Sequence, residues 1–242
     1  MPNAETPDED AARPRAERRN FYGRVHGKTL RASQKTYLAE DLGRLRLPGV
    51  TFDENPARTP LDLAALAGER PLWLEIGFGG GEHLVHMAAR YPGVALIGCE
   101  PFVNGIAMLL GKIRQAGVTN LSIHPGDVRD LFDVLPEACL DKAFLNYPDP
   151  WPKARHHRRR FVTPGYLNAL ARVMKPGAEF RVATDIPDYV RQTLEEVPKA
   201  GFDLMDQAGQ GGAWADWLST RYEQKALREG RAPHYLTFRR QG

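Results

Sequence analysis

Beginning at residue 71, the sequence alternates regularly between short apolar runs and segments whose apolar residues recur every three or four positions. This alternation is typical of repeated strand–helix units, which assemble into a mostly parallel sheet covered by helices. The sequence therefore predicts an α/β fold. The expected strands cover residues 72–76, 94–99, 120–124, 140–147 and 178–184.

Two amphipathic segments and a final strand complete the expected fold. Apolar residues between 103 and 113 recur at helical spacing, and residues 164–174 predict a second helix that a Lys-Pro-Gly sequence ends. Residues 235–238 alternate between apolar and polar, which predicts an antiparallel strand that closes the edge of the sheet. The expected fold class is therefore a doubly wound, Rossmann-like, mostly parallel sheet with a final antiparallel strand.

The first 68 residues have a different character. Residues 1–20 contain almost no large apolar side chains and their charges are grouped by sign, so we expect a disordered tail there. Residues 21–68 mix aromatic with basic side chains and then contain several prolines, which predicts a basic extension packed on the main domain. The main domain is expected to cover residues 69–242.

Composition excludes several classes of protein. The chain of 242 residues is 42% hydrophobic and 26% charged, as is typical of globular proteins. No apolar run approaches the roughly 20 residues that span a bilayer, and the N-terminus lacks the apolar core of a secretory signal. Cys99 and Cys139 have no partners at metal-ligand spacing. We therefore expect a cytoplasmic protein with two reduced, buried cysteines, no metal and no contact with a membrane.

The formal net charge is only +3, but the basic residues are concentrated in two places. Residues 13–31 contain seven bases and one acid, and residues 153–160 contain five bases, two histidines and no acid. Local basic blocks in a nearly neutral chain are typical of sites that bind polyanions. The N-terminal block is interpreted either as an arm that binds RNA or as a solvated tail.

The first predicted strand runs into a glycine-rich turn, at Gly77, Gly79, Gly80 and Gly81, followed by Glu82. Glycines allow a ligand to approach the backbone closely. A dinucleotide-binding fingerprint would need glycine at position 82, and an acid in the first turn of a helix repels a pyrophosphate. The turn therefore favours a nucleoside cofactor without phosphates, and S-adenosylmethionine has none.

Acidic residues lie near the ends of three successive strands, at Glu75, Glu100 and Asp127. Glu100 is placed to accept hydrogen bonds from ribose hydroxyls, and Asp127 from an adenine amino group. We predict that these three acids, with Gly77 and Gly79, bind the cofactor. Each acid also has a structural interpretation: local backbone bonding for Glu75, a surface position for Glu100, and a helix N-cap for Asp127.

The fourth predicted strand ends in a loop with three prolines among the five residues 148–152, which enclose Asp149 and Trp151. Prolines restrict the backbone, so the carboxylate and the indole are held in place, as a site for a planar base requires. The alternative is a rigid turn followed by a solvated basic run. If the run binds RNA phosphates, the predicted contacts are Arg155, His156, His157, Arg158, Arg159 and Arg160.

These motifs resemble those of bacterial tRNA (guanine-N7)-methyltransferases, the TrmB family. The resemblance covers residues 70–238 and is most specific in PDPWPKARHHRRR, residues 148–160, with a weaker match in FYGR from Phe21. It implies a class I methyltransferase fold, S-adenosylmethionine as cofactor, tRNA as partner, and Asp149 as the active-site acid. The residues that it implies for substrate binding are Lys153, Asp185, Thr220, Arg221, Tyr222 and Glu223.

Some of these assignments have alternatives. Thr220 and Glu223 have the spacing of a capping box, and Asp185, ahead of a proline, fits the start of a helix. Rival functions are a methyltransferase for another RNA nitrogen and a noncatalytic RNA-binding protein on the same fold. The resemblance further implies guanine 46 of the variable loop as the target. A monomer or homodimer with no obligatory protein partner is expected.

Overall fold

The computed structural model describes residues 21–208 and 212–242. Within these residues, the chain forms one seven-stranded sheet in the order β3-β2-β1-β4-β5-β7-β6. The first five strands pair in parallel, and β7 pairs antiparallel with both β5 and β6. The strands are β1 (Leu72–Ile76), β2 (Ala95–Cys99), β3 (Leu121–His124), β4 (Leu140–Asn146), β5 (Met174–Thr184), β6 (Phe202–Ala208) and β7 (His234–Arg240).

Helices cover both faces of the sheet. One apolar cluster joins the sheet to α6, α7 and α8, and a second joins it to α2, α4 and α5. Two of these helices, α7 and α8, begin at prolines, where the missing N–H has no intrahelical partner to lose. The helices are α1 (Ala32–Glu40), α2 (Leu42–Leu45), α3 (Leu63–Ala67), α4 (Glu82–Arg90), α5 (Val103–Ala116), α6 (Val128–Val134), α7 (Pro164–Val173), α8 (Pro187–Lys199) and α9 (Arg221–Arg228), with a 3₁₀ helix over Ala154–Arg159.

The predicted α/β class and the five parallel strands are confirmed, with most strand ends within a residue of those expected. One boundary was wrong, because β5 begins at Met174 and so includes the Lys-Pro-Gly sequence expected to lie between a helix and a strand. The pairing of β4 with β5 shifts register beside this sequence, between Leu140 and Lys142. The strand therefore accommodates the proline where the ladder is irregular.

The expected position of the last strand was also wrong. Strand β7 lies between β5 and β6, so this edge of the sheet is formed by β6, which the sequence pattern did not reveal. Its side chains Leu204 and Met205 are exposed, and aspartates interrupt any apolar alternation. Among residues 202–206 only Phe202 is buried, so the usual sequence signal of a strand is weak.

The described part of the extension, residues 21–68, lies against the main domain. The backbone of Val103 donates to Val25 O at 2.9 Å, Leu47 donates to Ile123 O at 2.9 Å, and Leu61 donates to Val134 O at 2.8 Å. The predicted tail, residues 1–20, lies outside the described residues. No helix in residues 21–208 and 212–242 is long and apolar enough to cross a membrane.

Candidate active site

A cavity of about 760 Å³ opens at the carboxyl edge of the parallel strands. It lies where the strand order reverses, between β1 and β4, which is the usual ligand site of a doubly wound sheet. Its volume falls within the range of small-molecule sites. Eight predicted site residues line it together: Gly77, Gly79, Glu100, Asp127, Asp149, Arg159, Arg160 and Tyr222.

The glycine-rich turn after β1 lines this cavity with Gly77 and Gly79. Gly79 and Gly81 have φ of +55° and +74°, a region that favours glycine. A Cβ atom on Gly79 would lie 2.9 Å from the ring of Tyr222. Lys112 donates from Nζ to Gly80 O at 2.7 Å and lies 3.2 Å from Glu82 Oε1, so it compensates the acid at the helix start.

Glu100 follows β2 directly and lines the cavity. Its carboxylate accepts hydrogen bonds from the backbone N–H of Gly79 at 2.7 Å and of Phe102 at 3.0 Å. The residue is only 8% exposed, so the surface interpretation is wrong. Burial raises the pKa of Glu100 to about 7, although the two backbone N–H groups oppose the rise. The carboxylate is therefore held in place while remaining accessible from the cavity.

Asp127 follows β3 and lines the same cavity. It is the N-cap of α6, where its Oδ1 accepts from the backbone N–H of Arg129 at 2.9 Å. The Arg129 guanidinium also donates to its Oδ2. The N-cap interpretation is thus confirmed. Contact with a cofactor stays a prediction, which the position of Asp127 in the cavity supports.

Asp149 lies at the mouth of the cavity, in the loop of residues 148–152. The residues Tyr147 and Trp151 that flank it have φ of 50° and 42°, an unusual region for bulky side chains. Asp149 is more than a third exposed, but the protein around it displaces enough water to raise its pKa above the ordinary value. The positive charge of Arg24 acts in the opposite direction. The carboxylate therefore stands on a constrained loop facing the cavity.

Comparison with known proteins accounts for this geometry. A family model described as "Putative methyltransferase" matches residues 69–236. The tRNA (guanine-N(7)-)-methyltransferase of Cereibacter sphaeroides is 80% identical over 224 residues, which cover 93% of this chain and 92% of that protein. The corresponding protein of Paracoccus denitrificans is 75% identical over 228 residues, which cover 94% and 97%. The chain belongs to the tRNA (guanine-N7)-methyltransferase family.

A solved structure agrees at the level of the fold. The 16S rRNA methyltransferase KamB superposes with a TM-score of 0.56 at 17% identity, over 74% of this chain and 93% of that chain. The class I methyltransferase fold predicted from the sequence is confirmed.

Glu75, the first of the three acids predicted to bind the cofactor, is buried beside the cavity rather than on its wall. Glu75 is 3% exposed and is absent from the cavity lining among the described residues. Its Oε2 lies 2.8 Å from His83 Nδ1, and Asn146 donates to its Oε1 at 3.4 Å. Glu75 thus points into the layer between β1 and α4, and its contact with a cofactor stays a prediction. Its partners are side chains rather than the local backbone.

The N-terminal extension contributes to the site, which the sequence analysis noted only as a weak resemblance in FYGR. Residues 21–24 line the cavity opposite Asp149. The guanidinium carbon of Arg159 lies 4.5 Å from the centre of the Tyr22 ring and 5.0 Å from that of Trp151. These contacts place Arg159 between two aromatic rings. The mixture of aromatic and basic residues after position 20 was the sequence feature that could have indicated this contribution to the site.

The basic run after the proline loop divides into two groups. Lys153, Arg155 and Arg158 are exposed beside the cavity, and His156 packs edge-on against Trp151 with 6.0 Å between ring centres. His157 Nε2 lies 3.2 Å from Asp188 Oδ2. These three exposed bases remain predicted RNA contacts.

Arg160 is a correction to this prediction. The residue is part of the cavity lining, but its side chain is fully buried and cannot reach a phosphate outside the protein. Its guanidinium instead hydrogen-bonds with Pro150 O, Asp188 and Gln192 inside the domain. A buried guanidinium needs such partners, since an unpaired charge inside a protein is costly.

Residues 220–223, which the resemblance implies for substrate binding, combine a helix cap with a cavity contact. Thr220 caps α9 and accepts from the backbone N–H of Glu223 at 3.3 Å, so the capping interpretation is confirmed. Glu223 is buried, where Trp217 and Tyr235 donate to it. Tyr222 lines the cavity, and Arg221 Nε lies 3.8 Å from Glu82, beside the glycine turn. Substrate contact by this motif stays a prediction.

Asp185 is engaged elsewhere. Its Oδ2 accepts from Arg231 Nε at 2.5 Å, and it is not among the described residues that line the cavity. The expectation that it caps the next helix was wrong, because the N-cap is Ile186 and no side-chain cap bond forms. Contact between Asp185 and substrate remains a prediction that would require this ion pair to open or be shared.

Proposed function

We propose that this chain transfers a methyl group from S-adenosylmethionine to N7 of a guanine in tRNA. The observation that carries the proposal is the placement of Asp149 at the mouth of the cavity whose inner wall contains Glu100 and the glycine turn. One carboxylate is thereby available to a nucleoside cofactor and another to a purine base. The named activity of the close relatives supports this proposal.

The residues of the cavity fit S-adenosylmethionine better than a phosphate-bearing nucleotide. Glu100 and Asp127 line it at the strand ends with Asp149 on the following loop, and the arginines of the lining come from the N-terminal extension and the basic run, at Arg24, Arg159 and Arg160. Acids repel a pyrophosphate but favour ribose hydroxyls, an adenine amino group and a cationic sulfonium. When bound, S-adenosylmethionine supplies an electrophilic methyl group. In this proposal Glu100 holds the ribose, Asp127 holds the adenine, and the backbone at Gly77 and Gly79 allows close approach.

The reaction makes modest chemical demands on the protein. Guanine N7 has a lone pair and no proton, so it needs no general base. The protein must orient N7 toward the methyl group, and orientation of this kind can supply on the order of 7 kcal/mol. Asp149 is proposed to accept hydrogen bonds from N1–H and N2–H of the guanine. Its negative charge then stabilises the positive charge that develops on the ring.

The bases beside the cavity are proposed to hold the tRNA backbone. Lys153, Arg155 and Arg158 are exposed and follow Asp149 closely in the chain. Lysine and arginine there can neutralise phosphates without reading sequence. Guanine 46 as the target, a monomer or homodimer, and a cytoplasmic location accompany this proposal as predictions.

The decisive experiment is transfer of a labelled methyl group to bulk tRNA, followed by nucleoside analysis and mapping. The expected product is N7-methylguanosine, and Asp149→Asn should form it much more slowly. A methyl group on another nitrogen would support the rival methyltransferase instead. No binding of S-adenosylmethionine in calorimetry, with the chain folded, would support a noncatalytic RNA-binding protein.

A further inference from the structure

We propose that Arg160 is a positioning residue for methyl transfer, which fixes the loop of residues 148–152 and with it the Asp149 carboxylate. This role rests on the proposed function. It separates Arg160 from the other bases of its run, which are exposed or stack at the cavity mouth. The guanidinium acts on the reaction through the loop and touches no substrate itself.

The contacts of Arg160 run from the loop to helix α8. Its Nε donates to Pro150 O at 2.9 Å, and its Nη2 donates to Trp151 O over a longer 3.4 Å. On the other side, Nη1 donates to Asp188 Oδ2 at 2.8 Å and to Gln192 Oε1 at 2.9 Å. The planar fork of arginine can make bonds in several fixed directions at once, which an ammonium group cannot.

The loop needs an external support of this kind. Prolines at positions 148, 150 and 152 have no N–H, so the loop can make few backbone bonds of its own. Tyr147 and Trp151 have positive φ, a conformation that costs roughly 1–3 kcal/mol per residue. Such residues persist only where their surroundings fix them. Arg160 bonds to the carbonyl of Trp151 and to the carbonyl directly before it.

The same guanidinium connects two edges of the site. Pro150 belongs to the loop after β4, whereas Asp188 and Gln192 lie on α8, which follows β5. Tyr189 packs beneath, with its ring centre 5.1 Å from the guanidinium carbon. Because the ends of β4 and β5 are neighbours in the sheet, Arg160 locks the Asp149 loop to the adjacent strand connection.

The test is Arg160→Lys, which keeps the charge but cannot span both sets of partners. The single-turnover rate at saturating tRNA and cofactor should fall roughly ten- to a hundredfold, because a misplacement of about 1 Å can cost on the order of a hundredfold. The dissociation constants for both ligands, and the salt dependence of tRNA binding, should stay within about twofold of wild type. A purely structural role would lower thermal stability without this selective loss of rate.

Arg191→Lys is the matched control, since Arg191 bonds to the same Asp188 carboxylate from the exposed side without touching the loop. Its rate should equal that of wild type. Gln192→Ala removes one hydrogen-bond acceptor of Arg160 and should lower the single-turnover rate by a smaller factor than Arg160→Lys. It keeps the proposal testable if Arg160→Lys does not fold.

Two results would overturn the role of Arg160. One is an unchanged saturated rate in folded Arg160→Lys or, should that variant not fold, in Gln192→Ala. The other is a weaker salt dependence of tRNA binding with an unchanged saturated rate, which would make Arg160 an RNA contact. Absence of N7-methylguanosine with the wild-type protein would instead refute the proposed function, so the two failures are distinguishable.

Discussion

Lowering the pH from 8 to 6 should weaken cofactor binding about tenfold through protonation of Glu100. Its pKa of about 7 means that the carboxylate is mostly ionised at pH 8 and mostly protonated at pH 6. In the ionised form both oxygens are free to accept, from the two backbone N–H groups and from ribose hydroxyls, whereas protonation turns one oxygen into a donor and removes the charge. If the protonated form does not bind, affinity follows the ionised fraction, and the tenfold change corresponds to about 1.4 kcal/mol.

Calorimetry at several pH values, in buffers of different ionisation enthalpy, checks this prediction. Binding to the wild-type protein at pH 6 should release about one proton from Glu100. The amino group of the cofactor also titrates near pH 8. The Glu100→Gln variant shows only the titration of this amino group. The difference in proton release between the two proteins therefore gives the contribution of the Glu100 carboxylate. At pH 8 the variant should bind more than about tenfold more weakly, because a charged acceptor is lost.

The same carboxylate should make the folded protein less stable as the pH rises, whereas it makes cofactor binding stronger. The folded-state pKa of Glu100 is raised, so its stability contribution is complete below the unfolded-state pKa and is lost as pH rises through about 7. The shift from 4.5 to about 7 corresponds to a loss on the order of 3 kcal/mol. The ligand-free wild type should therefore lose thermal stability relative to Glu100→Gln between pH 5 and 8. Identical pH profiles of affinity and stability in the two proteins would refute the reasoning.

Three further outcomes follow from the site. Asp149→Asn should lower the single-turnover rate roughly 100-fold with cofactor affinity nearly unchanged, and a fully active variant would show that orientation alone suffices. Replacing Arg155 and Arg158 with alanine should reduce the slope of log Kd for tRNA against log salt concentration by about 0.9 for each lost phosphate contact, or about 0.7 on single strands. The exposed Arg44→Ala serves as the control and should leave this slope unchanged. An equal slope in the wild type, the double variant and the control would mean that the basic run is only solvated. Gly81→Ala should lower the free energy of unfolding by about 1–3 kcal/mol in denaturant titrations, because φ is +74° and the new Cβ would lie 2.4 Å from the Leu109 side chain. Unchanged stability would mean that the turn adapts to the extra atom.

The parallel strands were predictable because burial on both faces leaves a continuous apolar run in the sequence. In β2, for example, all five residues are buried. Strand β6 lacks this signal, since it is an edge strand that exposes Leu204 and Met205. The sequence therefore indicated the central sheet well but missed the element that only its pairing with β7 defines.

The basic run shows where local reasoning fails. Arg158, Arg159 and Arg160 are adjacent and chemically identical, so composition assigns them one role. Their environments differ because α8, about 30 residues later in the chain, supplies the partners that bury the last of them. The contribution of residues 21–24 to the cavity is likewise a contact between distant parts of the chain. Neither contact leaves a periodic pattern in the sequence.

The acids near the three strand ends carried the same sequence signal, yet the structure gives them different surroundings for a simple geometric reason. Glu75 lies inside β1, paired in register with Gly98 and Phe144, so the alternation of the strand directs it into the layer beneath α4. Glu100 is the first residue after β2, where the chain has left the ladder and the carboxylate reaches Gly79 N at the sheet edge. Asp127 lies further on, at the start of α6, and caps it. In this fold, the position of an acid relative to the last paired residue of its strand therefore determines whether it packs beneath a helix, as Glu75 does, or lines the cavity, as Glu100 and Asp127 do.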